Sequence, residues 1–146
     1  MPTTELQPLL RPAAARVTPM AGHLLCIDDN PVNGLLIQEY FRLRMGLSVQ
    51  LASSGLAGLA MAQAERPLAL LLDLVLPDID GLEVLARLRD LPALRELPVV
   101  LVTAGASDGE LAQARRLGAD RCWFKPLDLS CLDVMLCELL SESAGP

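Results

Sequence analysis

From His23 onward, short and almost wholly apolar runs alternate with longer stretches whose apolar residues recur at helical spacing. Short apolar runs between turn residues read as strands covered on both faces. Their alternation with helices reads as β-α-β units around a mostly parallel sheet. The pattern predicts strands at 23–27, 48–52, 68–72, 99–102 and 121–124. Pro31 suits a first helical turn and opens a helix to about Arg44, with Leu35, Leu36, Tyr40 and Leu43 as its apolar stripe. Ser53 or Ser54 can cap a second helix that runs to about Glu65, and Pro67 follows its end. A third helix follows Gly81 and carries Leu82, Leu85 and Leu88 on one side. Ser107-Asp108-Gly109-Glu110 is a capping-box pattern for a fourth, which Gly118 stops. The last helix spans about 128–140, with Leu132, Met135, Leu136 and Leu139 on one face.

Five strands alternating with five helices predict a flavodoxin-like, doubly wound α/β sheet in the order 2-1-3-4-5. Right-handed connections then put helices on both faces. Before this domain, residues 1–22 hold Pro2, Pro8, Pro12 and Pro19, and proline at that density reads as a flexible lead or linker. The expected division is a lead at 1–22, a domain at 23–142 and a tail at 143–146.

Four of the apolar runs end on reactive polar residues: Asp28 and Asp29, Asp73, Thr103, and Lys125. A parallel sheet gathers these ends at one edge, and the expected strand order puts Asp28, Asp29 and Asp73 together at the switch-point crevice. Crowded carboxylates repel, and a hard cation such as Mg²⁺ or Mn²⁺ relieves this with oxygen ligands. Lys125 is the sole lysine, since the other eleven cations are arginines. Lysine is a compact point charge, suited to a phosphoryl oxygen. Thr103 can donate a hydroxyl to the same group. Asp78 and Asp80 read as loop or helix-entry residues rather than metal ligands.

Composition narrows the alternatives. A chain of 146 residues with 52% apolar content has enough for one substantial core. The net charge is −6, no Lys/Arg block stands out and only four residues are aromatic, so no nucleic-acid partner is expected. Cys26, Cys122, Cys131 and Cys137 form no C-x-x-C pair, and His23 is the only histidine, so a zinc site is poorly supported. Reduced cysteines, and no apolar stretch of the roughly 18 residues a membrane span needs, lead us to expect a cytoplasmic protein without membrane insertion.

The ordered set Asp28-Asp29, Asp73 with Leu76-Pro77-Asp78-Ile79-Asp80-Gly81, Thr103-Ala104 and Lys125-Pro126 resembles the receiver domain of two-component response regulators. The run Asp28-Asp29-Asn30-Pro31-Val32-Asn33 looks most like receivers attached to hybrid histidine kinases, so a stand-alone receiver and a piece of such a kinase are both expected possibilities. The resemblance implies that Asp73 is the phosphoacceptor. Asp28, Asp29, Asp73 and the Val75 backbone carbonyl would hold Mg²⁺, and Lys125 and Thr103 would meet the phosphoryl group. The donor would be a phosphohistidine on a histidine kinase or phosphotransfer domain, and the receiver by itself would not be an enzyme.

Receivers usually carry an aromatic residue three positions before the lysine, and it swings inward on phosphorylation. Here that position is Cys122. Phe124 shares its face of the strand, and Phe124 or a shift of the fourth helix is the alternative carrier of a switch beginning at Thr103; otherwise Cys122 is simply a small core residue and the output is weak or different. Val75 and Gly105 occupy the positions that flank the path of the hydrolytic water, and neither side chain can orient water, so slow dephosphorylation is expected. Two other readings stay open. One is a receiver-like interaction module with little phosphotransfer. The other is a haloacid-dehalogenase-type phosphohydrolase, which would want an acid where this chain has Asn30.

Overall fold

The computed structural model describes residues 22–126 and 128–144. The expected lead, except Gly22, and the last two residues of the expected tail lie outside them. Five parallel strands form one sheet: β1 His23–Ile27, β2 Ser48–Ala52, β3 Ala69–Leu72, β4 Val99–Thr103 and β5 Arg121–Phe124. Their order is β2-β1-β3-β4-β5, as the alternating pattern predicts. Five helices connect or follow them: α1 Pro31–Met45, α2 Gly55–Ala64, α3 Gly81–Asp90, α4 Asp108–Arg116 and α5 Leu129–Ala144. A short 3-10 turn at Pro92–Leu94, not foreseen from the pattern, leads into β4.

Each helix begins where a side chain satisfies an otherwise unpaired backbone N–H. Asn30 accepts from the Val32 N–H, Ser54 from Ala57, and Asp80 from Glu83. Ser107 and Glu110 form the reciprocal capping box at α4. The Asp128 carboxylate accepts from Cys131 at the start of α5. Helix α1 stops at Gly46, whose φ of 60° is the left-handed conformation glycine adopts without steric cost.

Strand alternation divides the core in two. Leu25, Ile27, Leu70, Leu72, Val99 and Leu101 face α2, α3 and α4. Leu24, Cys26, Leu71, Val100 and Val102 face α1 and α5. Burial of each large aliphatic side chain contributes about 1.5–3 kcal/mol, so the two clusters dominate stability. They also cover the three central strands on both faces as far as the sheet's C-terminal edge.

The expected stripe on α1 needs correction. Leu35, Leu36 and Leu43 are exposed, and Gly34, Ile37 and Phe41 are buried instead. Apolar residues are scattered nearly all round this helix, among Asn33, Gln38, Glu39, Arg42 and Arg44, so periodicity does not single out one face. Close approach to β2 decides it: a Cβ on Gly34 would lie 3.2 Å from Leu51 Cδ1. On the opposite sheet face, the half-buried Arg89 guanidinium donates to the carbonyls of Leu94, Arg95, Leu97, Leu117 and Gly118. It thereby ties the end of α3 to the chain entering β4 and the chain leaving α4.

Candidate acid and lysine site at the sheet edge

The site residues continue the sheet's hydrogen bonding one step beyond the strands. The Asp28 N–H donates to the Ala52 carbonyl at 3.0 Å, Asp73 N–H to Ile27 at 3.0 Å, and Lys125 N–H to Thr103 at 2.8 Å. Their backbones are therefore fixed by neighbouring strands although each stands in a loop.

Ligand oxygens of Asp28, Asp29 and Asp73 lie within 4.8 Å of one another. The Asp28 and Asp73 side chains are 5% and 7% exposed, and Asp29 is exposed. Lys125 crosses from the end of β5, and its Nζ donates to Asp28 Oδ2 and Asp73 Oδ2, both at 2.9 Å. Partial burial works against the Lys125 ammonium, but the hydrogen bonds and charges of Asp73 and Asp28 outweigh it and hold its pKa above the ordinary 10.5. The other Asp73 oxygen, Oδ1, accepts from the Val75 N–H at 3.1 Å. Asp28 Oδ1 accepts from the Asn30 N–H at 2.8 Å.

Charge counting tests whether a cation fits. Three carboxylates face one ammonium, which leaves an excess of two negative charges in a partly buried crevice. The donors are all hard oxygens, the set that suits Mg²⁺ or Mn²⁺. The nearest sulfur is no rival ligand: burial, and then the Asp28 charge, pushes the Cys26 thiol up to about 12. It stays protonated, and thiolate is the form that binds metal.

Thr103 is fully buried at the end of β4, and its hydroxyl lies 3.3 Å from the Gly105 carbonyl. It stands in register with Phe124, as Leu101 does with Cys122. Cys122 packs beside the cluster under α4, while Phe124 is 46% exposed. Burial raises the Cys122 pKa, only partly countered by Arg115, so this thiol is also held protonated. A groove of about 410 Å³ borders Cys122, lined by Leu101, Leu111, Ala114 and Arg115 among others. The small residue leaves space where a larger side chain would fit.

Two further residues bear on the site. Gly81 lies so close to β3 that a Cβ there would sit 2.5 Å from the Asp73 carbonyl oxygen. Asp78 reaches back to α2 and accepts from the Gly55 and Leu56 N–H groups at 2.8 Å each. The sequence marks Asp78 as a loop residue, but its partners are more than twenty positions away, and no local pattern reveals them.

A five-stranded parallel sheet in this order, with acids, a hydroxyl and a lysine at its C-terminal edge, defines a flavodoxin-like domain with a phosphoryl-type site. The model of the response regulator receiver domain family matches residues 24–136, and the chain belongs to that family. It is 36% identical over 122 residues to the response regulator PleD of Caulobacter vibrioides, covering 80% of this chain and 25% of PleD. It is 32% identical over 110 residues to the polar-differentiation response regulator DivK of Brucella anthropi, covering 75% of this chain and 89% of DivK. The chain thus spans a quarter of one relative and most of the other.

Solved structures agree. The receiver domain of a sensor histidine kinase from Pseudomonas aeruginosa, with a magnesium ion coordinated in its active-site cleft, superposes with a TM-score of 0.75. The two share 27% identity over 84% of this chain and 99% of that one. The Mn²⁺-bound response regulator Rcp1 gives a TM-score of 0.70 at 28% identity, covering 82% and 92% of the two chains. As a receiver domain, the chain is a phosphoacceptor component of two-component signal transduction. Among the described residues, no helix is long and apolar enough to cross a membrane.

Proposed function

We propose that Asp73 accepts a phosphoryl group from a phosphohistidine on a histidine kinase or phosphotransfer domain. The observation that carries this reading is the pair of contacts on one buried carboxylate: Lys125 Nζ at Asp73 Oδ2 and the Val75 N–H at Oδ1. They orient Asp73 as a nucleophile with a positive charge already in place beside it.

An Asp73 oxygen attacks phosphorus as the P–N bond to the partner's imidazole breaks. The imidazole nitrogen keeps the bonding pair and takes up a proton. Little covalent chemistry falls to the protein, so positioning and charge neutralisation carry the reaction. Lys125 shifts from carboxylate to phosphoryl oxygen, and the Thr103 hydroxyl, one strand over, supplies a donor. Asp28, Asp29, Asp73 and the Val75 carbonyl are the groups that would hold Mg²⁺ or Mn²⁺. Such a cation supplies charge neutralisation to the phosphoryl oxygens. The receiver takes the group onto itself and passes the change to a partner surface, with Thr103, Cys122 and Phe124 along the route, so it acts as a switch and not as a turnover enzyme.

Nothing favours the phosphohydrolase reading. Asn30, where that chemistry wants an acid, is already committed as the cap of α1. The direct test is incubation with a small phosphoryl donor and Mg²⁺, read by intact mass. The wild-type chain gains one phosphoryl group and Asp73→Asn gains none; undiminished labelling of the variant would sink the assignment.

A further inference from the structure

Between Asp73 and α3 the chain runs outward through residues 74–80 and returns. Its base is closed by the Gly81 N–H, which donates to the Leu74 carbonyl at 2.8 Å. Leu76 and Ile79 pack against the core, but Val75 is 68% exposed and Pro77 is exposed, so apolar burial does not hold the outer part of the loop. Asp80 caps its own helix, α3. Asp78 is different: it is the loop side chain whose hydrogen bonds reach another element, with both carboxylate oxygens on the first N–H groups of α2. The two segments also touch directly, since a Cβ on Gly55 would lie 2.7 Å from Ile79 Cγ1 and 3.1 Å from the Ile79 carbonyl oxygen.

Helix α2 does not depend on this contact alone. Ser54 caps it from within the same segment, with the Ala57 N–H donating to Ser54 Oγ at 3.2 Å. For α2 the Asp78 carboxylate is a second cap. For the loop it is the tie to the rest of the domain.

We propose that Asp78 is a positioning residue for the divalent cation: by bonding α2 it holds the loop that carries Val75, whose N–H bonds Asp73 and whose carbonyl is proposed above as a ligand beside Asp28, Asp29 and Asp73. The inference rests on the reading of those acids as the metal site. Groups that orient a ligand without touching the metal commonly change its affinity by 10-fold or more. A loop that must be ordered on binding loses affinity by the same logic.

The experiment compares Asp78→Ala, Asp78→Asn and Ser54→Ala with the wild-type chain. Metal affinity is measured as free Mn²⁺ by electron paramagnetic resonance. Stability is measured as the melting temperature with chelator present. Asp78→Ala and Ser54→Ala each remove a cap of α2 and lower the metal-free melting temperature. Asp78→Ala also weakens Mn²⁺ binding by about 10-fold, while Ser54→Ala leaves binding unchanged. Asp78→Asn keeps one acceptor oxygen, falls between, and supplies a folded variant if the alanine chain is too unstable. Unchanged Mn²⁺ affinity in both Asp78 variants, or an equal loss in Ser54→Ala, overturns the proposal. Saturable binding in the wild type that is lost in Asp29→Asn establishes the metal site separately. No saturable binding in the wild type overturns both the site and the inference.

Discussion

Lys125 Nζ sits 2.9 Å from Asp73 Oδ2, bridging the ends of two strands that are not neighbours in the sheet, and makes an equal contact with Asp28. The lysine thus stands where a cation's charge is also wanted. Lys125→Met removes the one positive partner, among the described residues, of two nearly buried carboxylates. Breaking such a pair from one side costs about 3 kcal/mol. We expect that loss with chelator present, and a larger gain from excess Mg²⁺ in the variant than in the wild type, because the ion then has no ammonium to repel it. Thermal melts with and without Mg²⁺ check this. Equal Mg²⁺ stabilisation of the two proteins would count against a shared charge site.

The same contact sets a pH dependence. The folded-state pKa of Lys125 is raised, so its contribution to stability is fully present below the unfolded value of 10.5 and is lost as pH rises through the folded value. The ion pair is therefore intact across the neutral range. With one lysine in the chain, selective labelling yields a single side-chain NMR signal to follow. Its midpoint should lie above 10.5 in the metal-free protein and fall in Asp73→Asn.

Gly81→Ala should damage stability and chemistry together. The added methyl group meets backbone on the β3 side, 2.5 Å from the Asp73 carbonyl oxygen and 2.8 Å from Leu74 Cα. These atoms belong to the peptide that carries the proposed nucleophile and cannot rotate away as a side-chain end can. A penalty of about 3 kcal/mol is expected, against the gain of roughly 1 kcal/mol that alanine brings to a helix. Urea unfolding measures the first effect, and the rate of labelling by a small phosphoryl donor measures the second. A stabilised variant labelled at the wild-type rate would contradict the close approach.

Dephosphorylation should be slow. Val75 is exposed and apolar, and a Cβ on Gly105 would meet nothing within 4 Å, so neither side chain can hold an attacking water near Asp73. Val75→Asn or Gly105→Gln supplies a polar group and is expected to shorten the phosphoryl lifetime, followed as decay of the phosphorylated mass. A wild-type lifetime of seconds, or no change in either variant, would contradict this.

The apolar strands were legible because a strand covered on both faces is apolar along its length: β3 wholly so, and β1 and β4 but for His23 and Thr103 at one end of each. The strand ends followed, and with them Asp28, Asp29, Asp73, Thr103 and Lys125. What escaped was decided by contacts distant in sequence. Val32, Leu35, Leu36, Ile37, Tyr40, Phe41 and Leu43 crowd α1, and only packing on β2 selects Ile37 and Phe41 for burial. Asp78 resembles any acidic turn residue until α2 is placed beside it. Arg89 gives no sign in the sequence that its five carbonyl partners lie in two separate segments of the chain.

The single extra rung of backbone bonding beyond the strands has a consequence for how such a chain can change. Asp28, Asp73 and Lys125 each follow the last strand residue directly and inherit their direction from the pleat. Inserting one residue inside β1, β3 or β5 would turn the following side chain to the opposite face of the sheet. The helices and the loops on the far edge carry no such restriction and can lengthen or shorten. Variation in length is therefore open to the helices and far-edge loops and closed to the four short strands that end in the chemistry.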